Sequence, residues 1–344
     1  MTMTIDPVQQ DVSVRLDDRA RFMYAVLAVT DWPQKSQAKK PHGTHLHARA
    51  TRKFLEPHQD HPAVQTQDHP AVQTMQRLLD QGVTLAQFQT LAAHMTWPEM
   101  TVTTAPAWMP AEWPAQLKAF FEQSRLTAFW NAEQSVWLAA RAESERVFHG
   151  VHFKPFLKPF LGEVAEKLVF IPSILFPANE ESTVRQDGEL ICIAPPRLAW
   201  GDSPPWPFDE DPAYIRRVAL MQYGHELMAD YLAHHPDALG PLAEQGLPVD
   251  AKFKQRYPTW QEQFTALFTS ALAALYLEQH VNKKEADSYV LMERKMHGVT
   301  NLPGTVSVLR RYRSDFLSGK YKSLADFLPV FPKQLRVANR IVSL

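Results

Sequence analysis

The sequence predicts an α+β fold, mainly α, with a helical N-terminal half and a C-terminal half of long helices around a small β-sheet. Three observations predict it. Apolar residues recur at helical spacing along most of the chain. Only two short runs, 167–172 and 189–194, read as strands, and they lie close together rather than alternating with helices. The 344 residues are 45% hydrophobic and 21% charged, a globular composition long enough to bury a core without staples.

Taken in order, residues 1–15 are polar and are expected to be mobile. A first helix is expected at 19–30, with Phe22, Val26 and Val29 on one stripe. Residues 31–75 are rich in His, Gln and Pro and hold His42, His45, His47, His58, His61 and His69. The octamer at 59–66 recurs unchanged at 67–74, which reads as a local duplication lengthening a tolerant loop. Residues 75–94 read as helix, turn, helix, with Gly82 as the break and Thr84 as the N-cap. Trp97-Pro98, Pro106, Pro110 and Trp113-Pro114 mark an irregular arm. Helical periodicity resumes over 115–148. After the strand pair, with Asp187-Gly188 as a turn, a Pro/Trp loop fills 195–210. Helices then follow at 212–235, 260–280 and 284–297, with shorter ones near 304–317 and 323–328. The domain division expected is 1–100 with the loop at 31–75, a linker at 101–116, and 117–344.

Several function classes are disfavoured. Cys192 is the single cysteine, so CxxC zinc and redox motifs are absent, and its apolar neighbours mark it as a core residue. Glycine is scarce, at 12 residues, and no two lie closer than six apart. GxGxxG, P-loop and GxSxG patterns are therefore absent. A net charge of −1 lacks the basic footprint of a nucleic-acid binder. No apolar run is long enough to span a membrane, and no leader pattern opens the chain. The expectation is a soluble cytoplasmic protein with no nucleic-acid or membrane partner.

The most informative stretch is Met221-Gln222-Tyr223-Gly224-His225-Glu226. An HExxH helix puts two histidines one turn apart on one zinc ion, with the glutamate as general base. If His225-Glu226 opens such a motif, the second histidine position is Ala229, which has no donor. If His225 closes it, Tyr223-Gly224-His225 matches an aromatic-Gly-His ending. Met221 then stands in the first histidine's place and Gln222 in the glutamate's. With the flanking 153–162 segment, the two strands, Phe54-Leu55-Glu56-Pro57-His58, Asp68-His69-Pro70-Ala71-Val72 and 298–312, this helix resembles an uncharacterised bacterial zincin-like, gluzincin-type metallopeptidase family. The resemblance implies a zincin-like region over 117–344 and a third ligand, a glutamate, on the helix at 260–280. Thr265 occupies that position here. A thioether, a neutral amide and a hydroxyl replace a zinc ligand, a base and a second ligand, which implies a fold without its metal or catalysis.

Other readings of these residues stand beside it. Tyr214, Val218, Met221, His225, Met228 and Leu232 are spaced as one amphipathic stripe, on which a histidine is an ordinary core or boundary residue. His225, Glu226, Asp230, His234 and His235 could hold a metal through displaced ligands, or form a solvated face at a helix C-terminus. His45-Leu46-His47 could bind a transition metal adventitiously. The run Arg310-Arg311-Tyr312-Arg313, with Lys320 and Lys322, could meet a phosphate or an acidic partner. Trp108, Trp113, Trp200 and Trp206 could line a groove or cover the core.

Three functions follow as expectations. The first is a degenerate metallopeptidase homologue that binds a peptide or protein, its former site at Met221, Gln222, His225 and Thr265 and no cofactor. The second is a metal-dependent hydrolase using displaced ligands, with zinc expected only under this reading. The third is an interaction protein without cleft chemistry.

Overall fold

The computed structural model describes residues 10–37, 44–56, 68–199 and 203–342. The chain is α+β and mainly α, its helices accompanied by one four-stranded sheet. Contacts divide it into two units, residues 1–150 with 166–215 and residues 151–165 with 216–344. The divisions thus fall after residues 150, 165 and 215, whereas the sequence suggested a linker at 101–116.

In the first unit β1 (Val12–Val14) precedes α1 (Asp18–Ala28), α2 (Trp32–Gln37), α3 (Leu46–Leu55), α4 (Pro70–Asp80), α5 (Leu85–His94), α6 (Trp113–Ser124), α7 (Leu126–Ala132) and α8 (Gln134–Phe148). The chain gives α9 (Phe153–Leu161) to the second unit, then returns with β2 (Lys167–Pro172), β3 (Ser182–Gln186) and β4 (Glu189–Ala194). Local chemistry sets several of these ends. The Asp17 carboxylate accepts from the Arg19 and Ala20 N–H groups and starts α1. Gly82, at φ +89, ends the α4 turn, and Thr84 with Gln87 forms a capping box on α5.

The strands run in the order β1-β2-β4-β3. β1, β2 and β4 are parallel, and β3 is antiparallel to β4. Residues 168–172 and 190–194 are buried throughout, as expected for strands covered on both faces. Ala20, Gln89 and Ala93 from α1 and α5 meet Ile171, Val184, Ile191 and Ile193. Phe148 of α8 packs on Phe170, 4.9 Å between ring centres, and Phe170 points to the opposite face. Asp187 and Gly188, both at positive φ (+48 and +76), make the two-residue hairpin turn from β3 to β4.

Three expectations are corrected here. The stretch 31–75 is not one loop, because α2, α3 and the start of α4 fall within it, and His45 and His69 cap α3 and α4. Residues 12–14 are not a mobile tail but a strand, because β2 otherwise leaves a row of backbone groups unpaired. Trp113 is not part of a loose arm. It opens α6, is fully buried, and donates its indole N–H to the Ala71 carbonyl at 3.1 Å. Cys192 is a fully buried core residue, and burial pushes its thiol pKa well up.

The second unit continues with α10 (Pro212–Ala233), whose first four residues fall in the first unit. It goes on through α11 (Pro236–Gln245), α12 (Ala251–Arg256), α13 (Trp260–His280), α14 (Lys283–Met296), α15 (Leu302–Leu317), α16 (Leu324–Phe327) and α17 (Phe331–Val342). α13 is buried around most of its circumference from Phe264 to Leu277, so it is the central helix. A Thr259/Glu262 capping box starts it. The phenylalanines of α9 pack on it, with Phe153 5.3 Å from Tyr276 and Phe160 5.8 Å from Phe268. Tyr312 of α15 is fully buried and donates to the Pro159 carbonyl at 2.8 Å. Among the described residues no helix is long and apolar enough to cross a membrane.

α15 and α17 approach closely at Gly304. A Cβ built there would lie 2.1 Å from Asn339 Oδ1 and 3.3 Å from Leu335 Cδ1. The Asn339 amide is held in place by donating to Asn301 Oδ1 at 2.8 Å. Gly304→Ala is therefore expected to destabilise the protein by ~1–3 kcal/mol, although alanine is the better helix former. Adding Asn339→Ala should recover part of that loss. Thermal unfolding of the two single variants and the double variant checks this, and purely additive effects would remove the close approach.

Candidate functional site

The stretch Met221–Glu226 lies on α10, a helix with so many apolar residues that the tertiary packing selects which face is buried. Val218, Ala219, Leu220, Tyr223, Gly224, Leu227 and Met228 are buried. Gly224 rests against α13, where an added Cβ would sit 3.0 Å from Leu272 Cδ2 and 3.7 Å from Thr269 Cγ2. The stripe expected from spacing is corrected at His225. His225 is exposed, with 56% of its side chain accessible, and its Nδ1 lies 3.5 Å from Glu226 Oε1. Successive residues turn by about 100°, so His225 shares its angular sector with Val218 and Leu232, which are buried; its exposure belongs to its own turn of the helix, not to a separate face.

Met221 and Gln222 are both half-buried. The Tyr289 hydroxyl of α14 donates to Met221 Sδ at 3.5 Å. Ser270 and Arg217 hydrogen-bond to the same tyrosine, and the Arg217 guanidinium lies 4.6 Å from its ring centre. Burial pushes the Tyr289 phenol pKa up. Glu293, one turn further along α14, is also raised by burial, against the opposing charges of His297, Arg217 and Arg256. Thr265 is buried in α13, and its carbonyl accepts from Thr269 Oγ1 at 3.0 Å. Among the described residues no hydrogen bond or ion pair joins Met221, His225 and Thr265 to one another.

The displaced-donor set is also spread out. The Nδ1 atoms of His234 and His235 lie 2.8 and 2.7 Å from the carbonyls of Asp230 and Tyr231, one turn back. The His235 ring is stacked 4.2 Å from Tyr231. Carbonyl oxygens accept only, so both Nδ1 atoms carry the proton. Among the described residues no three His, Cys, Asp or Glu side chains are grouped to hold a metal.

Two buried polar clusters escape a reading of motifs. The Arg217, Met221, Ser270, Tyr289 and Glu293 group is one. The other, in the first unit, surrounds Arg21. Its guanidinium lies between two indoles, 4.2 Å from the Trp130 ring centre and 4.4 Å from that of Trp137. Burial pushes the Arg21 pKa down to about 9, which still leaves it cationic at neutral pH. Beside it His47 is fully enclosed. Its Nε2 accepts from Trp137 Nε1 at 2.8 Å, so its Nδ1 carries the proton and donates to Glu133 Oε2 at 3.2 Å. His45 uses Nδ1 to cap α3, accepting from the His47 N–H at 3.0 Å. His69 caps α4 in the same way. These three histidines therefore serve as packing and capping groups. His42, His58, His61, Trp200 and most of the repeated octamer lie outside the described residues.

Of the remaining loop tryptophans, Trp108 lines a cavity of about 360 Å³ with Leu91, His94 and Pro106. Trp108 packs edge-on against Phe88 at 5.6 Å, and Trp206 lies 4.7 Å beneath the Arg197 guanidinium. Compared with known protein families, curated proteins and solved structures, the chain matches none.

Burial lowers the His47 pKa from 6.5 to about 4. The unfolded chain then takes up the proton first as pH falls. The stability held in neutral His47 is complete above pH 6.5 and is lost as pH falls toward 4. Thermal unfolding across this window is expected to show that loss. His47→Gln, which can still accept from Trp137 and donate to Glu133, should flatten the slope. An unchanged slope in the variant would assign it to other groups.

Proposed function

We propose that this chain is a non-catalytic binding protein built on a degenerate zincin-like helix, with a peptide or protein as its ligand. The observation that carries the reading is the state of Met221. The place that the resemblance gives to the first zinc-binding imidazole holds a thioether already engaged by the Tyr289 hydroxyl. A thioether is a poor zinc ligand, and Gln222 in the base's place cannot take a proton at neutral pH. His225 alone would not make a tetrahedral site, and it turns toward solvent beside Glu226. The reading of a hydrolase with displaced ligands draws no support from the positions of Asp230, His234 and His235. A cytoplasmic setting accords with a binding protein of this kind.

Metal content measured by plasma mass spectrometry on the untagged full chain, beside His225→Ala, tests the reading. Both proteins, incubated with zinc and then desalted, are expected to retain the same small, substoichiometric amount. Neither should cleave an unfolded casein substrate. Near-stoichiometric zinc that is lost in His225→Ala, or zinc-dependent cleavage, would overturn the reading in favour of a metallohydrolase.

A further inference from the structure

A groove of about 380 Å³ runs between α15 and α17. This is near the lower end of the ~300–1,000 Å³ typical of ligand sites, so it suits a few side chains rather than a large ligand. Val308, Val330 and Val337 form its apolar surface, and Arg311 and Lys333 are its two cations. No carboxylate lines it. Val337 is 52% exposed, although the same helix buries Phe331 and Leu335 completely.

The charge is uncompensated in a specific way. In the basic run on α15, Arg310 pairs with Glu278 at 2.6 Å. Arg313 bonds the Gln279 side chain and lies 5.8 Å from the Phe156 ring centre. Tyr312 is in the core. Arg311 is left to the groove, and among the described residues neither it nor Lys333 has a carboxylate within ion-pair distance. A third feature concerns hydrogen bonding. Gln334, which also lines the groove, has its amide Oε1 buried with no partner. A buried acceptor without a donor is unfavourable. Its terminal torsion is soft, so rotation can turn the oxygen toward a donor in the groove.

We propose that this groove binds an acidic, amphipathic peptide segment of a partner protein. Apolar side chains of the segment rest on Val308, Val330 and Val337. Its carboxylates meet Arg311 and Lys333, and one of its backbone N–H groups satisfies Gln334. That last contact separates a peptide from a fatty carboxylate, which shares the apolar and anionic chemistry but has no N–H to donate. The inference rests on the reading of the chain as a binding protein and gives that reading a place and a partner chemistry.

The probe is a labelled, end-capped peptide of ~15 residues, long enough to form a helix, with leucine on one face and glutamate on the other. A second peptide carries lysine for glutamate. Fluorescence anisotropy with the full chain is expected to show binding of the acidic peptide and not of the basic one. The Arg311→Glu/Lys333→Glu double variant should lose about tenfold or more for the acidic peptide and gain binding of the basic one, since like charges across an interface repel. Both substitutions are on the surface, and unchanged thermal unfolding verifies the fold. Equal binding of both peptides, binding of neither, or a preference unmoved by the double variant would overturn the proposal. Binding of decanoate in the groove without peptide binding would overturn it in favour of a fatty carboxylate. A zinc-free, inactive protein that fails these tests removes only the groove, whereas zinc-dependent cleavage removes the reading beneath it.

Discussion

The close approach of α10 to α13 at Gly224 governs the second unit. Without a side chain at this position, Leu272 and Thr269 pack against bare backbone, and an added Cβ would crowd Leu272 Cδ2 at 3.0 Å. Once that contact is made, the rotation of α10 follows. Tyr223, Leu227 and Met228 turn inward beside Gly224. Met221 is half-buried, within reach of Tyr289, and His225 is exposed to solvent. The chemistry open to the motif residues is therefore decided by one helix contact. Their donor atoms end up engaged with protein or facing water, not converging.

The first unit is organised by a different constraint. A parallel pair such as β2 and β4 exposes apolar side chains on both faces and is stable only when both are covered. Helices α1 and α5 cover one face and α8 the other, and β1 supplies the missing backbone partner for β2. The polar groups enclosed near α8 are matched in part, since Arg21 Nε and Nη2 and Trp130 Nε1 are buried without a hydrogen-bond partner. Arg21 keeps its charge between two indole faces, and His47 is held neutral between Trp137 and Glu133. Such an arrangement fixes geometry at the cost of sensitivity to protonation.

The binding site proposed above lies away from the motif helix. The buried clusters are enclosed in the core, while the α15–α17 groove is open and combines an apolar surface, two unpaired cations and an unmatched amide oxygen. Gly304 belongs to the same account, because it brings the two helices close enough to define the groove. A site of this kind selects by charge and shape and needs no converging donor set.

Sequence alone determined much of the local structure. The helix at 260–280, the Gly82 break with its Thr84 cap, the apolar strands, the Asp187-Gly188 turn and the core position of Cys192 are all written in short-range patterns. Those patterns persist because caps, turns and periodicity act over a few residues. Tertiary structure decided what depends on partners far along the chain. β1 was invisible because three residues become a strand only beside β2. The stripe was misread at His225 because spacing gives that residue the same sector as the buried Val218 and Leu232, and only the packing of its own turn decides its exposure. The difference between Arg311 and its neighbours Arg310 and Arg313 likewise rests on where α13 and α17 lie, because charge spacing within one helix says nothing of the residues packed against it.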